Sequence, residues 1–533
     1  MRGNNIFKYI FIFFAIGIIF YAGYTIYNNN KNKEIKNNEQ SVVTEEKKIT
    51  KNMRLALINY DSVNPLITHN KEMLNIDTLI YEPLFTLTND YQLQSCLAKE
   101  CSKTGDKIYI IKMNKNILWQ NDTPFTAKDV LFTIDLLKKG NSIYKYNVDH
   151  IENVEIIDEM TLKLTLDSSD IQFFEYNLIF PIMSSDYYEG EDFYSSSKIP
   201  IGTGKFKITN VNTNNITLAK NEKWKNYNGT KEIKIENISV NIYSSMGEVY
   251  NSFKKGDIDL INTSNPDFQE YIGTIGFNER YYPGREFDFL SFNCEDLILK
   301  DKSVRKAISY AIDKSNVVST IFNNKKNIAD YPLDYGNYLY TADNSSLGYN
   351  PEQAKKVLEE GGWLYRNNRW TKNIDGHTKT LKLKLSVDAS NEQRVAAAEL
   401  ILKQLKEIGI DIRIEKVSHD KYNSYIDNKD YQILFTGVYT SYIPDLSYYF
   451  LPGNISNYSN SEIEELIDET NKIKDVKKLK DINAKIYNIY KDEVPFIGLF
   501  RNKNITITSE DLIGVIEPNN YMTFYNIEEW YRK

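Results

Sequence analysis

Patterns that hold phosphate or activate a nucleophile would reveal an enzyme directly. Gly202-Thr203-Gly204-Lys205 resembles part of a phosphate-binding loop, whose backbone amides surround phosphate oxygens. However, Phe206 stands where such a loop requires Ser or Thr, and Ile199 stands where its first glycine belongs. We therefore expect a tight turn before a strand here. Neither H-E-x-x-H nor G-x-S-x-G occurs in the chain.

Metal and redox sites would need clusters of histidine and cysteine. The four histidines lie far apart in sequence, at His69, His150, His377 and His419. Cys96 and Cys101 are close enough for a small-loop disulfide, which the sequence leaves open, but they lack the second pair that a zinc site would want. We therefore expect no catalytic residues, no metal ligands and no cofactor. The paired carboxylates of a glycoside hydrolase leave no local motif, so a secreted hydrolase stays an alternative.

Composition narrows the class of protein. The 533 residues carry 65 Lys and Arg against 72 Asp and Glu, a net charge of -7. This length predicts about two to four domains, and the mild acidity gives no reason to expect nucleic acid as a partner. Tyrosine is abundant, with 40 residues beside 25 Phe and 5 Trp. Its flat apolar face and polar tip suit a binding surface as well as a core.

The N-terminal region has the pattern of a membrane anchor followed by a tether. After a short segment, 1–8, residues 9–27 form an apolar run without charge that is long enough to span a bilayer. The run ends in bulky aromatic residues, where a cleavable signal would carry small ones, so we predict a retained single transmembrane helix. Residues 28–48 are almost entirely polar and predict a disordered tether.

Hydrophobic periodicity predicts the elements that must position any site. Apolar residues alternate over Leu381–Val387, follow helical spacing over Glu392–Ile408, and alternate again over Ile410–Ile414. Strand, helix and strand at this spacing form a βαβ unit, and Tyr431–Val438 is nearly continuous in apolar residues, as in a strand covered on both faces. This region is predicted to be an α/β domain.

Two helices carry clear boundary signals. Thr126 with Asp129 three residues later predicts a capping box at a helix start, and Gly140 predicts the end of that helix. Asn350-Pro351 predicts a second helix with Pro at its first position, and Gly361 is expected at the C′ position that ends it.

Several segments, in order from about residue 50 to the end, resemble the family-5 extracytoplasmic solute-binding proteins of bacterial ABC transporters, the oligopeptide- and dipeptide-binding group. The matching stretches are NPL at Asn64–Leu66, IYEPLF at Ile80–Phe85, LWQNDTPFTAKDVLFTI at Leu118–Ile134, IPIGTGKFKI at Ile199–Ile208, KGDIDL at Lys255–Leu260, VRKAISYAIDK at Val304–Lys314, YNPEQAKKVLEEGGW at Tyr349–Trp363 and YQILFTGVYTSY at Tyr431–Tyr442. Each stretch is weak alone, but their common order makes the resemblance strong.

The resemblance implies an α/β, two-lobed periplasmic-binding-protein-like clamp (type II, cluster C) with an inserted subdomain, preceded here by the one N-terminal transmembrane helix. By analogy, lobe I comprises residues 50–78, 200–284 and 495–533, the inserted subdomain comprises residues 79–199, and the α/β lobe II comprises residues 285–494. The two crossing segments, near Gly284 and near Pro495, form the expected hinge.

The resemblance also implies a function. The chain would be the extracytoplasmic substrate-binding component of an ABC-type importer, not an enzyme, which captures peptides by hinge closure and delivers them to a membrane permease. Such closure requires that the ligand contact both lobes at once, because a ligand shifts an equilibrium only by its differential affinity for the two states. The expected partners are a peptide or other small solute, the permease subunits and, through residues 9–27, the lipid bilayer. The expected protein is a monomer at the cell membrane, anchored by a single pass, with its binding domain on the extracytoplasmic face.

The residues expected to line the cleft come from two segments that match the family. The turn before the NPL motif supplies Asn59, Tyr60, Asp61, Ser62 and Val63, and the segment opposite supplies Gly437, Tyr439, Thr440, Ser441 and Tyr442. In the peptide binders an aspartate in the second segment receives the α-amino group of the ligand. Ser441 occupies that position here, and Asp445 is the nearby carboxylate that would replace it.

Three alternatives accompany peptide transport, and the first arises because a serine lacks the charge-assisted bond to an ammonium. The same fold would bind a nickel complex, haem, a sugar or a modified peptide. A ligand sensor that never delivers cargo is the second alternative. The secreted hydrolase is the third.

Overall fold

The computed structural model describes residues 50–169, 173–224, 232–340, 347–470 and 472–533. Lys51–Arg532 form one compact unit. The predicted segment 1–8, anchor 9–27 and tether 28–48 lie outside the described residues. In the part of the chain that is described, no helix combines the length and the apolar character needed to cross a bilayer.

The elements of the described chain alternate irregularly between strands and helices. The strands are β1 (Asn52–Ile58), β2 (Phe85–Leu87), β3 (Leu93–Ser95), β4 (Ala98–Lys103), β5 (Ile108–Met113), β6 (Ile151–Asp158), β7 (Thr161–Leu166), β8 (Phe206–Val211), β9 (Asn215–Lys220), β10 (Asn237–Tyr243), β11 (Leu260–Thr263), β12 (Phe277–Phe292), β13 (Lys326–Ile328), β14 (Leu364–Arg366), β15 (Arg369–Ile374), β16 (His377–Thr380), β17 (Lys382–Asp388), β18 (Asp411–Val417), β19 (Ile433–Tyr439), β20 (Phe496–Ser509), β21 (Leu512–Ile513) and β22 (Tyr531–Arg532). The helices are α1 (Lys71–Asp77), α2 (Ala127–Lys139), α3 (Met246–Lys254), α4 (Gln269–Ile272), α5 (Lys302–Ala311), α6 (Lys314–Phe322), α7 (Pro351–Glu360), α8 (Glu392–Glu407), α9 (His419–Asn428), α10 (Ser447–Phe450), α11 (Ser461–Thr470) and α12 (Val476–Glu493).

The largest sheet runs from the first half of the chain into the second. Its strand order is β11-β20-β12-β19-β17-β18, with β13 also paired to β20. The two longest strands, β12 and β20, are antiparallel neighbours whose register extends from the Phe277–Ser509 pair to the Ser291–Phe496 pair. A register shift between Pro283 and Phe287 interrupts this pairing. The two strands therefore connect β11 at one side of the sheet with β19, β17 and β18 at the other, with a bulge in their own pairing.

The predicted βαβ unit is confirmed. β17 and β18 pair in parallel, from Lys382 opposite Asp411 onward, and α8 connects them. β19 lies parallel to β17 on its other side. The first four residues of β19 are buried, as expected for a strand covered on both faces.

The remaining sheets are smaller. β1 pairs in parallel with β10, and β9 and β8 complete that four-stranded sheet. A second four-stranded sheet has the order β4-β5-β7-β6, and β14, β15 and β16 form a third, three-stranded sheet. The turn that contains Gly202 and Gly204 precedes β8 as predicted: an added Cβ on Gly202 would lie 1.9 Å from the carbonyl oxygen of Ile80, so this turn needs glycine for close backbone packing.

The hydrophobic core is divided. One cluster combines buried side chains of the predicted lobe I, such as Met53 and Phe206, with side chains of the predicted inserted subdomain, such as Trp119 and Phe180. A second cluster lies within residues 290–500, around α5, α8 and the parallel strands. The segment 79–199 therefore packs directly on the first lobe and shares its core.

The helix signals are confirmed at three of their four ends. At the start of α2, the Thr126 backbone N–H donates to Asp129 Oδ2 at 2.8 Å in the predicted capping box, and Gly140 ends the helix. α7 begins at Pro351 as predicted. The prediction for its end is wrong by one residue, because Gly361 has a helical φ of -72° and Gly362, with φ +81°, occupies the left-handed position. Gly361 instead allows close packing, since a Cβ there would lie 2.1 Å from Ser303 Oγ of α5.

Candidate functional site

A cavity of ≈ 860 Å³ opens among segments that are distant in sequence. Its walls come from α1 and residues 78–96, from residues 143–147 and 176–181, from the β12 bulge and residues 439–443, and from residues 502–504 and 520–528. This volume lies within the range of about 300–1,000 Å³ that is typical of pockets enclosing small ligands. All three regions expected from the sequence, lobe I, the insert and lobe II, contribute to its lining.

The predicted cleft residues at the end of β19 and just after it divide into two groups. Tyr439, Ser441 and Tyr442 line the cavity. Thr440 is buried, and its backbone N–H and its hydroxyl both donate to the Arg285 carbonyl at 2.9 Å. Gly437 lies within β19 against the Asp288–Arg394 ion pair, where a Cβ would lie 2.1 Å from Arg394 Nη2. Gly437 and Thr440 therefore do not line the cavity themselves but pack against residues next to it.

Asp445 does not line the cavity. Its Oδ1 accepts the Ser447 backbone N–H at 2.8 Å and the Ser447 hydroxyl at 2.5 Å, at the start of the short α10. Ser441 does reach the cavity, but its Oγ accepts the Ile443 backbone N–H at 3.1 Å. Neither residue therefore presents a carboxylate to the cavity.

The turn Asn59–Val63 lies outside the cavity lining. Asp61 accepts the His69 backbone N–H at 2.7 Å and the Thr68 hydroxyl, and these bonds hold the pKa of its carboxyl below the ordinary value, against the opposing effect of burial. The Val63 carbonyl accepts the Tyr81 hydroxyl at 3.1 Å, and Tyr81 does line the cavity. Val63 therefore contacts a residue of the cavity wall, but the turn itself is not part of the wall.

Arg285 and Tyr442 form the part of the cavity wall next to the two long strands. The guanidinium carbon of Arg285 lies 4.0 Å from the Tyr442 ring centroid, and Nη1 donates to the Thr440 carbonyl at 3.2 Å. The Tyr442 hydroxyl donates to the Asn520 carbonyl at 2.6 Å. Tyr442 also stacks on Tyr91, with a centroid distance of 5.9 Å. These contacts join the insert, the α/β lobe and the C-terminal segment at one point.

The predicted hinge residues occupy different places along the crossing strands. Gly284 lies in the bulge of β12, and an added Cβ there would lie 2.0 Å from the Asn502 Oδ1 of β20. That same Oδ1 accepts the Glu286 backbone N–H at 3.0 Å. Pro495 lies at the other end of β20, where its carbonyl accepts the Phe292 backbone N–H at 3.2 Å. The residue packed against Gly284 is therefore Asn502.

A buried acidic network lies at another part of the wall. Glu82 Oε1 accepts the Trp224 indole N–H at 2.8 Å, whereas Oε2 accepts no hydrogen bond from a described residue. Burial raises the pKa of Glu82 to about 7, partly opposed by the indole bond and by the charge of Lys205. Lys205 in turn pairs with Glu528 at 3.1 Å.

Asp77, the last residue of α1, is the most isolated acid of the lining. Its side chain is buried, with a relative exposure of 4%, and neither carboxylate oxygen accepts a hydrogen bond from a described residue. Burial, together with the negative charge of Asp61, raises the pKa of Asp77 well above its ordinary value. The sequence analysis missed Asp77, although its position four residues after the buried Met73 places it on the inward face of α1.

The structure answers the open question about the cysteines. Cys96 and Cys101 are both free thiols, both are buried, and burial raises the pKa of each above its ordinary value. Within the described ranges, no group of three His, Cys, Asp or Glu side chains is arranged to hold a metal ion.

Comparisons with known proteins agree with the fold. Residues 92–460 match the family model described as bacterial extracellular solute-binding proteins, family 5. The oligopeptide-binding protein AppA of Bacillus subtilis is 23% identical over 493 residues, 88% of this chain and 89% of its own length. The nickel-binding periplasmic protein of Escherichia coli is 22% identical over 390 residues, 70% of this chain and 72% of its own length.

Solved structures give the same result for the fold. The periplasmic murein tripeptide binding protein MppA, in an unliganded open form, superposes with a TM-score of 0.77 at 17% identity, over 91% of this chain and 98% of that one. The expected α/β, two-lobed periplasmic-binding-protein-like fold is thereby confirmed.

Proposed function

The chain belongs to the family 5 bacterial extracellular solute-binding proteins, and from this premise we propose that it captures peptides in the ≈ 860 Å³ cavity and delivers them to the permease of an ABC importer. Relatives that are named for oligopeptide binding align over most of the chain and support the peptide as cargo. Members of this family bind substrates and are not enzymes, so the proposed role is capture and release without turnover.

The observation that carries the proposal is the composition of the cavity wall. Arg285 and Tyr442 of the expected lobe II line the same space as Asp77 and Tyr521 of the expected lobe I. A solute that contacts both sides gains affinity when they approach, which is what shifts an open–closed equilibrium toward the closed state. Micromolar binding corresponds to about -8 kcal/mol, which enclosing a short extended ligand can supply.

The wall also offers the polar groups that a peptide needs. A guanidinium carries five N–H donors, and among the described residues Arg285 spends one of them on the Thr440 carbonyl. The stack on Tyr442 fixes the plane of this donor fork, which then faces a carboxylate or carbonyl of the ligand without further ordering cost.

Hinge motion is part of the proposal. We place one crossing at Gly284, in the β12 bulge, and we move the second from Pro495 to Asn502, which packs against Gly284. The lobe boundary predicted near residue 284 then stays and the one predicted near residue 495 moves to residue 502, while segment 79–199 travels with lobe I because the two share a core.

Native mass spectrometry of the full-length protein, purified from its own host, tests the cargo. The proposal predicts a non-covalently bound peptide whose mass does not change during incubation with the protein. Recovery of shortened peptide or cleaved glycan would instead support a hydrolase.

A nickel complex is the second candidate, favoured by the nickel-binding relative. Elemental analysis of the same sample distinguishes the two, because a nickel carrier would release stoichiometric metal and no peptide. A peptide uptake assay in a strain that lacks the protein separates a transporter from a sensor, which would bind peptide without changing uptake.

The apolar run at residues 9–27 supports a further proposal, a retained single-pass anchor that holds the binding domain on the extracytoplasmic face as a monomer. Fractionation tests the anchor: the protein should stay with membranes after a high-salt wash, and protease added to intact cells should degrade the domain.

A further inference from the structure

We propose that Asp77 receives an ammonium group of the bound solute, so that the preferred ligands of the cavity carry a free amine. This inference rests on the proposed function and deepens it, because it assigns the charge of the cargo and the residue that recognises it.

The first observation is the isolation of this carboxylate. Asp77 is 4% exposed, it lines the cavity, and its two oxygens accept no hydrogen bond from any described residue. Buried charges in proteins are normally paired, because moving an unpaired charge out of water costs a large free energy. An acid left without a partner at the wall of a binding cavity is therefore matched to a group that arrives with the ligand.

The second observation is the local field, which favours a cation. Asp77 is the last residue of α1, and the C-terminal end of a helix carries negative potential. Asp61 adds its own negative charge to the same region. The other titratable groups that face Asp77 are the hydroxyls of Tyr81 and Tyr144, whose pKa values rise through burial and through the charge of Asp77. No described cation forms an ion pair with Asp77, although Lys71, the first residue of α1, lines the same cavity.

The other candidate acids each have at least one hydrogen-bond partner. Asp445 caps Ser447 away from the cavity, and Ser441 is uncharged. Glu82 accepts the Trp224 indole, and Lys205 stands beside it. The charge-assisted bond that Ser441 cannot make is therefore available at Asp77, which lines the same cavity.

The raised pKa of Asp77 couples this recognition to protons. In the empty protein burial favours the protonated acid, whereas an ammonium bound beside it favours the carboxylate. Binding an amine therefore releases a proton, and affinity for it should fall as the pH is lowered, by up to about tenfold per pH unit for one proton. A ligand without an amine should show no such slope.

Calorimetric titration of the full-length protein with three synthetic peptide pools tests the proposal. One pool has free amino termini and no lysine, the second is N-acetylated and lacks lysine, and the third is N-acetylated with one internal lysine. We expect the first or the third pool to bind at least about thirtyfold more tightly than the second, with the pH slope described above. Which of these two pools binds identifies an α-amino or a lysine ammonium as the group recognised.

Asp77→Asn should remove both the preference and the slope, while its ligand-free melting temperature stays close to that of the parent, because the amide, like the protonated acid of the empty protein, is uncharged. Asp411→Asn, an exposed acid on β18, is the matched control for the loss of one charge and should keep the preference. Should Asp77→Asn fail to fold, the proton release measured with the unaltered protein decides the question.

Equal affinity for the first and second pools without gain for the third, or a preference that disappears in Asp445→Asn and persists in Asp77→Asn, would overturn the ammonium site while leaving peptide binding intact. Absence of binding by all three pools would overturn peptide binding and, with it, this inference.

Discussion

The guanidinium of Arg285 lies over the ring of Tyr442, with its central carbon 4.0 Å from the ring centroid. Arg285 belongs to the bulge that interrupts the pairing of β12 with β20, whereas Tyr442 follows β19 and bonds the C-terminal segment through Asn520. One side-chain contact thus connects the proposed hinge to the wall of the cavity. Movement of the crossing strands would displace a ligand-facing donor directly.

Arg285→Ala should weaken peptide binding by about tenfold or more, because it removes both a donor fork and the stack on Tyr442, worth about 1–2 kcal/mol together. The measurement is a calorimetric titration with the peptide recovered from the native protein. Arg280→Ala is the control on the same strand, since Arg280 donates to the adjacent Glu279 carbonyl and does not line the cavity. Equal affinities for the two variants would remove Arg285 from the site.

Gly284→Ala should destabilise the protein by about 1–3 kcal/mol, because the new Cβ would lie 2.0 Å from Asn502 Oδ1 at a packed crossing. Chemical unfolding measures this loss. A second substitution, Asn502→Ala, should partly rescue Gly284→Ala in the double variant, since a smaller side chain leaves room for the methyl group. Gly247→Ala, a helical glycine whose added Cβ meets only Ser245 Oγ at 3.8 Å, should be neutral or stabilising.

Glu82 should make the ligand-free protein less stable as the pH rises. Its folded pKa of about 7 exceeds the ordinary value of 4.5, so between these values the folded state holds a proton that the unfolded state has lost. The stabilisation is complete below pH 4.5 and is lost as the pH rises to 7, by up to about 3 kcal/mol.

The check for Glu82 is the difference between the parent and Glu82→Gln in free energy of unfolding at pH 5 and pH 8. The amide has no such titration, so the variant should gain stability relative to the parent at the higher pH. A difference that is the same at both pH values would contradict the raised pKa.

The cysteines should react only after unfolding. Cys96 and Cys101 are buried free thiols with raised pKa values, and the thiolate is the reactive form. During a few minutes with iodoacetamide at neutral pH, both thiols should stay unmodified in the native protein. In denaturant without reductant, both should be modified. A disulfide between them, detected as a missing modification in denaturant, would contradict the structure.

Local patterns predicted the elements well and the site only partly. The βαβ unit around α8 follows from alternation and helical spacing within one stretch of chain, so it could be predicted from the sequence. The end of α7 was placed one residue early because two glycines occur together and only tertiary packing on Ser303 distinguishes their roles. Tyr439, Ser441 and Tyr442 were found through family resemblance, and they do line the cavity.

Asp77 and Arg285 escaped prediction because their significance is long-range. Asp77 has the sequence context of an ordinary helix end, and its isolation depends on which distant segments bury it. Asn59–Val63, also expected in the cleft, lies outside the cavity lining, and Tyr81 of the following segment, which does line the cavity, donates its hydroxyl to the Val63 carbonyl. Cavities that assemble from four or five separated segments leave no contiguous pattern in the chain.

Small-angle scattering of the compact unit Lys51–Arg532, with and without a saturating peptide, tests the central claim that both halves close on one solute. Closure predicts a smaller radius of gyration with peptide. The Arg285→Ala variant should show no such change at the same peptide concentration, provided that this concentration lies below the dissociation constant of the variant. Identical scattering profiles for the free and loaded parent protein, with binding verified by calorimetry in the same sample, would contradict it.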